Sequence, residues 1–164
     1  AEAMRDAGVT MMGRAREYGL GLQTVNVIRG LRKDYARGWL FVPRHYLDEH
    51  GLSPRQFLSP MYVERSMEVV RRLVEKAEAH LRDGLEYVLQ IPRHLHRVRL
   101  ATMWPLLFAA RTLALSRDNR DVLLSEAKMS REDVERIVRR TMMHGWSNRW
   151  LARYHEQLLR GEGV

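Results

Sequence analysis

The chain contains no cysteine. A disulfide framework and a thiolate metal centre are therefore both excluded, and the composition fits a reducing compartment. Lysine is nearly as scarce: of 28 basic residues only Lys33, Lys76 and Lys128 are not arginine. Strand-like alternation, internal repeats, low-complexity runs and long linkers are missing too. The chain opens on Ala1 rather than Met, without a charged-then-apolar leader pattern. That start points to a truncation or a domain boundary. The longest apolar block, LATMWPLLFAARTLAL at residues 100–115, holds Pro105 and Arg111 and is too short to span a bilayer. It is read as a buried helix that leaves room for contact with a membrane surface. The seven histidines form no metal-binding set, and neither an HExxH pattern nor a nucleophile elbow is present.

What is there is a chain of 164 residues, enough for one domain with its own core, carrying a formal charge of +8. Such a balance favours anionic partners: nucleic acid, acidic lipid or a diphosphate. Arginine richness also follows from genome composition alone. No recognition-helix pattern accompanies the charge, so a basic nucleic-acid module ranks last and no nucleic-acid partner is expected.

Helical spacing dominates. A first helix is predicted from Met12 to Lys33 and a loop from Tyr35 to Pro43. A short helix follows from Arg44 to His50, stopped by Gly51. Ser53-Pro54-Arg55-Gln56 reads as a capping box, and Ser59-Pro60 repeats the start signal. Val63, Met67, Val70, Val74, Ala77, Leu81, Leu85 and Val88 then form an amphipathic stripe that Pro92 ends. A fourth helix is predicted over Arg93–Leu115, kinked at Pro105. A last one runs from the capping box at Ser130 toward Leu158, with Trp146, Trp150 and Tyr154 as an aromatic stripe. Met11, Met12, Met142 and Met143 read as core filler. The fold class is all-α: one unit over residues 1–164, built as a bundle of long antiparallel helices.

The informative stretch is NVIRGLRKDYARGWLFVP, residues 26–43. Gln23, Asn26 and Asp34 share one helical face with Gly30. Mg²⁺ takes oxygen ligands and bridges substrate phosphates, so an amide and a carboxylate on that face suit it. Arg29, Arg32, Lys33 and Arg37 beside it suit diphosphate oxygens. A structural role fits the same spacing: Asn26 bonding a neighbouring helix, Asp34 pairing with Arg32 or Arg37, and the basic residues forming a solvated surface.

The wider stretch YGLGLQTVNVIRGLRKDYARGWLFVP, residues 18–43, resembles the second metal-binding region of the squalene/phytoene synthase family. Leu22-Gln23, Asn26-Val27-Ile28-Arg29, Asp34, Arg37-Gly38 and Val42-Pro43 fall on that pattern in register. LEYVLQIP, RLATMWPLLFAARTLALS and KMSREDVERIV echo the family's later helices, so the resemblance spans about residues 15–140. Three positions depart from it. Gly30 stands where the family has its first aspartate, Lys33 replaces a glutamate, and Trp39 replaces an arginine. The family's other aspartate-rich motif has no counterpart in residues 1–33.

The resemblance implies the carboxy-terminal half of an isoprenoid synthase bundle, with the amino-terminal half as its missing partner. It implies a transferase joining two prenyl diphosphates, farnesyl or geranylgeranyl, head to head with Mg²⁺, and with NADPH where squalene is the product. On this reading Gln23, Asn26 and Asp34 are catalytic, Asn26 and Asp34 hold metal, and Arg29, Lys33 and Arg37 bind diphosphate. The expected location is cytoplasmic, peripheral to a membrane. The alternative, suggested by Gly30, is a non-catalytic relative acting as an assembly or lipid-binding factor.

Overall fold

Two long helices set the frame, and two glycines let them touch. The computed structural model describes residues 2–126 and 128–163. Helix α1 covers Glu2–Ala36 and α3 covers Val63–Gln90. They run antiparallel, as the Glu17–His80 contact at 2.7 Å and the Arg14–Glu86 pair at 3.9 Å require. A methyl group on Gly21 would lie 2.9 Å from Leu81 Cδ2, and one on Gly84 would lie 2.6 Å from Tyr18 Cδ2. Only bare backbone permits this approach. It buries Tyr18, Val25, Ile28 and Leu31 of α1 against the stripe of α3, including Val70, Val74, Ala77 and Leu81.

Helix α1 begins ten residues before the predicted start and ends three after the predicted end, because Gly8, Gly13 and Gly19 do not interrupt it. The stop comes at Gly38, whose φ of 83° ends the helical path. Helix α2, Arg44–Glu49, closes at Gly51 as expected, with φ 61°.

The capping box at Ser53 forms its side-chain contact but starts no helix. Gln56 Oε1 accepts from Ser53 N at 2.9 Å and from Ser53 Oγ at 2.8 Å. The residue before a proline is pushed out of the helical region, and Ser59 accordingly sits extended at ψ 133°. A single 3₁₀ turn, Pro60–Tyr62, then leads into α3.

Helix α4, His96–Ser116, contains Pro105 and has the length and apolarity of a membrane span. Its Met103, Leu106, Leu107, Ala110 and Leu113 are instead buried inside the bundle. Tyr18 ties α1 to it by donating from its hydroxyl to Thr102 O at 2.6 Å.

The last predicted helix is two. Helix α5 is the short Asp121–Leu124, α6 is Arg131–His144 and α7 is Asn148–Leu159. The break falls at Gly145, where an added methyl would meet Met103 Sδ at 3.0 Å and Thr141 O at 2.4 Å. Ser147 then caps α7, its side chain accepting from Trp150 N. Trp150 stacks on Tyr154 at 4.7 Å, but Trp146 lies in the corner and leaves the stripe. The methionines depart from expectation as well: Met12, Met142 and Met143 are exposed, and Met11 is half-buried.

One buried cation joins these parts. Arg99 is 0% exposed. Its guanidinium donates to Val88 O, Ile91 O and Gly145 O at 2.9–3.1 Å and to Asn148 Oδ1. Burial and the neighbouring Arg93 charge lower its pKa.

Candidate functional site

The middle of α1 divides by face. Gly21, Val25, Ile28 and Leu31 are buried. Gln23, Asn26, Gly30, Lys33 and Asp34 occupy the opposite side, where Gln23, Asn26 and Lys33 are exposed and Gly30 and Asp34 half-buried. Arg37 follows in the exposed turn closed by Arg37 N and Trp39 N, both donating to Asp34 O, at 3.0 and 2.9 Å.

The motif side chains share this face but not a single cavity. Asn26 lines a hollow of about 430 Å³ with Arg29, Phe108, Thr112, Glu126 and Lys128. Gln23 opens onto another of about 230 Å³ with Phe41 and Lys76. Asp34 belongs to neither. Three residues along a helix turn a side chain by about 60° in net direction, enough to part Gln23 from Asn26. Asp34 instead folds back along its own helix: a methyl group on Gly30 would stand 2.8 Å from Asp34 Oδ2. The missing side chain at position 30 is what gives this carboxylate its seat.

Of the structural roles, the solvated basic surface is present, since Arg29, Arg32, Lys33 and Arg37 are all exposed, while the two pairings are not formed. Among the described residues, the side chains of Gln23, Asn26, Lys33, Asp34 and Arg37 make no hydrogen bond or ion pair. Asn26 does not tether a neighbouring helix, and Asp34 pairs with neither Arg32 nor Arg37.

In the larger hollow the polar groups do meet. Glu126 Oε1 lies 3.6 Å from Arg29 Nε, and Glu126 Oε2 lies 3.1 Å from Lys128 Nζ. Two cations thus converge on one carboxylate, beside the amide of Asn26 and the apolar wall of Leu22, Pro105 and Phe108. A phosphate oxygen would meet the same charges. Glu126 and Lys128 lie outside the motif on α1. Lys128 opens the KMSRED segment, whose place in space depends on packing, and Glu126 lies just before it with no signal of its own.

As a divalent-cation site the residues fit in part. Asn26 and Asp34 offer oxygen donors of the kind Mg²⁺ takes. They stand two turns apart, about 12 Å along the axis, so one ion cannot bind both. Gly30 supplies nothing between them. Among the described residues no group of three His, Asp or Glu side chains could hold a metal.

Comparison with known proteins agrees with this architecture. The family model for squalene/phytoene synthase matches residues 2–133. Squalene synthase ERG9 of Saccharomyces cerevisiae is 30% identical over 111 residues, covering 68% of this chain and 24% of the yeast protein. A phytoene synthase of Cereibacter sphaeroides is 32% identical over 76 residues, covering 46% of this chain and 21% of its own. The solved structure of TcSQS with the ligand E5700 superposes at a TM-score of 0.78 with 23% identity, over 92% of this chain and 44% of that one. The chain therefore spans less than half the length of these relatives.

Proposed function

The chain belongs to the squalene/phytoene synthase family, and from that premise we propose that it forms the carboxy-terminal part of an isoprenoid synthase domain that joins two prenyl diphosphates head to head. The first bond to break is the allylic carbon–oxygen bond of one substrate, and its electrons leave with the diphosphate. The carbocation then adds to the double bond of the second prenyl diphosphate, and loss of a proton from the resulting cation closes the ring of a cyclopropylcarbinyl diphosphate intermediate. Charge on the departing diphosphate is the main obstacle, and fixed cations lower it.

The observation that carries this reading is the placement of the motif. The side chains of Gln23, Asn26, Lys33 and Asp34 stand on the side of α1 turned away from the core, without internal partners. Arg29 and Lys128 converge in the adjoining hollow. Arg29, Lys33 and Arg37 are assigned to the diphosphate. Mg²⁺ would neutralise the same charge, with Asp34 as its anionic donor and Asn26 as a neutral donor to a separate ion. Gln23 is assigned to orienting substrate from the neighbouring hollow. The remainder of the fold would cover this face of α1, and Phe108 and Leu22 would line the path of a prenyl chain. The absence of cysteine suits a cytoplasmic location.

The test is turnover of farnesyl and geranylgeranyl diphosphate by the full-length protein, titrated with Mg²⁺ and run with and without NADPH. Asp34→Ala is expected to lower turnover by roughly two orders of magnitude, and Asn26→Ala by less. Gly30→Asp, which restores an acid beside Asp34, is expected to keep activity and to tighten Mg²⁺ dependence. Unchanged turnover in Asp34→Ala would remove this helix face from the chemistry. Absence of any turnover in the parent would favour the non-catalytic, lipid-binding alternative.

A further inference from the structure

We propose that Glu126 is an internal stand-in for the diphosphate in the larger hollow. Its carboxylate holds the anion's place on Arg29 and Lys128, yields it when a diphosphate binds, and returns to help expel inorganic diphosphate afterwards. The inference rests on the diphosphate reading of that hollow. Glu126 Oε1 lies 3.6 Å from Arg29 Nε, and Oε2 lies 3.1 Å from Lys128 Nζ. One carboxylate oxygen thus serves each cation, as two oxygens of a bridging phosphoryl group would. Arg29 belongs to α1 and Lys128 to the segment between α5 and α6, so the carboxylate gathers two charges from separate elements. Among the described residues neither cation has another acidic partner, and no other carboxylate lines the hollow.

The fold delivers Glu126 to this position. Val122 and Leu123 of α5 are buried. Ser125 N and Ser125 Oγ both donate to Asp121 O, at 2.7 and 3.2 Å, which closes the turn one residue before Glu126. The contacts are nonetheless of a kind that exchanges. The Arg29 contact at 3.6 Å is an ion pair too long for a hydrogen bond. Side-chain exposure is 30% for Glu126, 50% for Arg29 and 71% for Lys128. Pairs this open to water hold weakly, while a diphosphate brings more charge and more oxygens to the same two cations. Once the allylic bond has broken, inorganic diphosphate is more highly charged than the ester it left, and the same cations retain it. A carboxylate tethered beside them competes at high effective concentration and so favours release. If Glu126 served only to clamp the two cations, or to hold a divalent ion, its removal would weaken anion binding instead.

Binding of inorganic diphosphate to the full-length protein tests this, by titration calorimetry in EDTA so that only the chain's own groups are read. Glu126→Gln is expected to tighten the dissociation constant roughly threefold to tenfold, the range set by two partly exposed ion pairs. Glu126→Ala should tighten it likewise. The gain should appear mainly as slower dissociation in stopped-flow exchange. Asp121→Asn removes the same charge from an exposed residue of α5. It should change binding less than about twofold at physiological salt, which separates displacement from net charge. Arg29→Met and Lys128→Met should each weaken binding about tenfold. Thermal unfolding of each variant is the folding control. Unchanged or weaker binding in Glu126→Gln and Glu126→Ala, or equal tightening in Asp121→Asn, would overturn the role of Glu126 alone and leave the diphosphate assignment standing. Binding that neither Arg29→Met nor Lys128→Met weakens, or no binding in any of these proteins, would overturn both.

Discussion

His155 places a pH limit on the stability of this fold. It lies on α7 at 1% exposure, and its Nε2 has no hydrogen-bond partner. Burial, with a smaller contribution from Arg82, pushes its pKa down to about 4, against the partial opposition of Glu156. In the unfolded chain the imidazole titrates near the ordinary value of 6.5. Above that value both states are neutral and the residue adds no pH dependence. As pH falls below it, the unfolded chain takes up a proton that the native state refuses until about 4. Stability is therefore lost on acidification between these values, at about 1.4 kcal/mol per pH unit, or roughly 3 kcal/mol across the window.

The perturbation is His155→Met, which keeps comparable volume without a titratable group. At pH 7.5 it should be neutral or stabilising, because the unpaired Nε2 disappears. Urea unfolding followed by circular dichroism, at pH steps from 7.5 to 4.5, gives both curves. Ion-paired carboxylates also lose their contribution in acid, and they do so equally in both proteins. The difference between the curves belongs to His155. Parallel curves for parent and variant over this range would refute the reasoning.

Two further perturbations bear on packing. Gly84→Ala drives a methyl group against the Tyr18 ring. It should cost about 1–3 kcal/mol by overpacking, more than the helix-propensity gain. Gly19→Ala meets nothing within 4 Å and should stabilise by up to about 1 kcal/mol; opposite signs in thermal melts are the check. Arg99→Met should cost about 3–5 kcal/mol in chemical denaturation by stranding four acceptors. Arg99→Lys should rescue little, since an ammonium cannot reproduce the planar fork.

Much of the bundle was legible because its causes are local. The stripe from Val63 to Val88 is periodic, and Gly38, Gly51 and Pro92 end their elements by backbone chemistry alone. The break at Gly145 was not legible. A glycine in a helical run is usually tolerated, and the close approach of Met103 to this corner, from another helix, is not written in the local sequence. The capping box at Ser53 misled because its side-chain bond forms as readily around a turn as around a helix start. Met142 and Met143 are both exposed, because the core-facing stripe of α6 is set by Ile137 and Thr141. The register of Gln23, Asn26 and Asp34 on one face followed from α1 itself. That Glu126 meets Arg29, and that Asp34 settles over Gly30, depends on contacts and rotamers that spacing does not encode.

The guanidinium of Arg99 has a consequence for how the molecule comes apart. The carbonyls it binds lie where α3 and α6 end, and its amide partner lies where α7 begins. The α6–α7 hairpin cannot swing away without abandoning a buried charge in the middle of the bundle. Opening one joint therefore opens all of them, and subglobal fluctuations at this end are suppressed. Amide hydrogens of α7, close to the chain terminus and on a helix of only 12 residues, should then exchange through the same global opening as those in the centre of α3, rather than by fraying from the end.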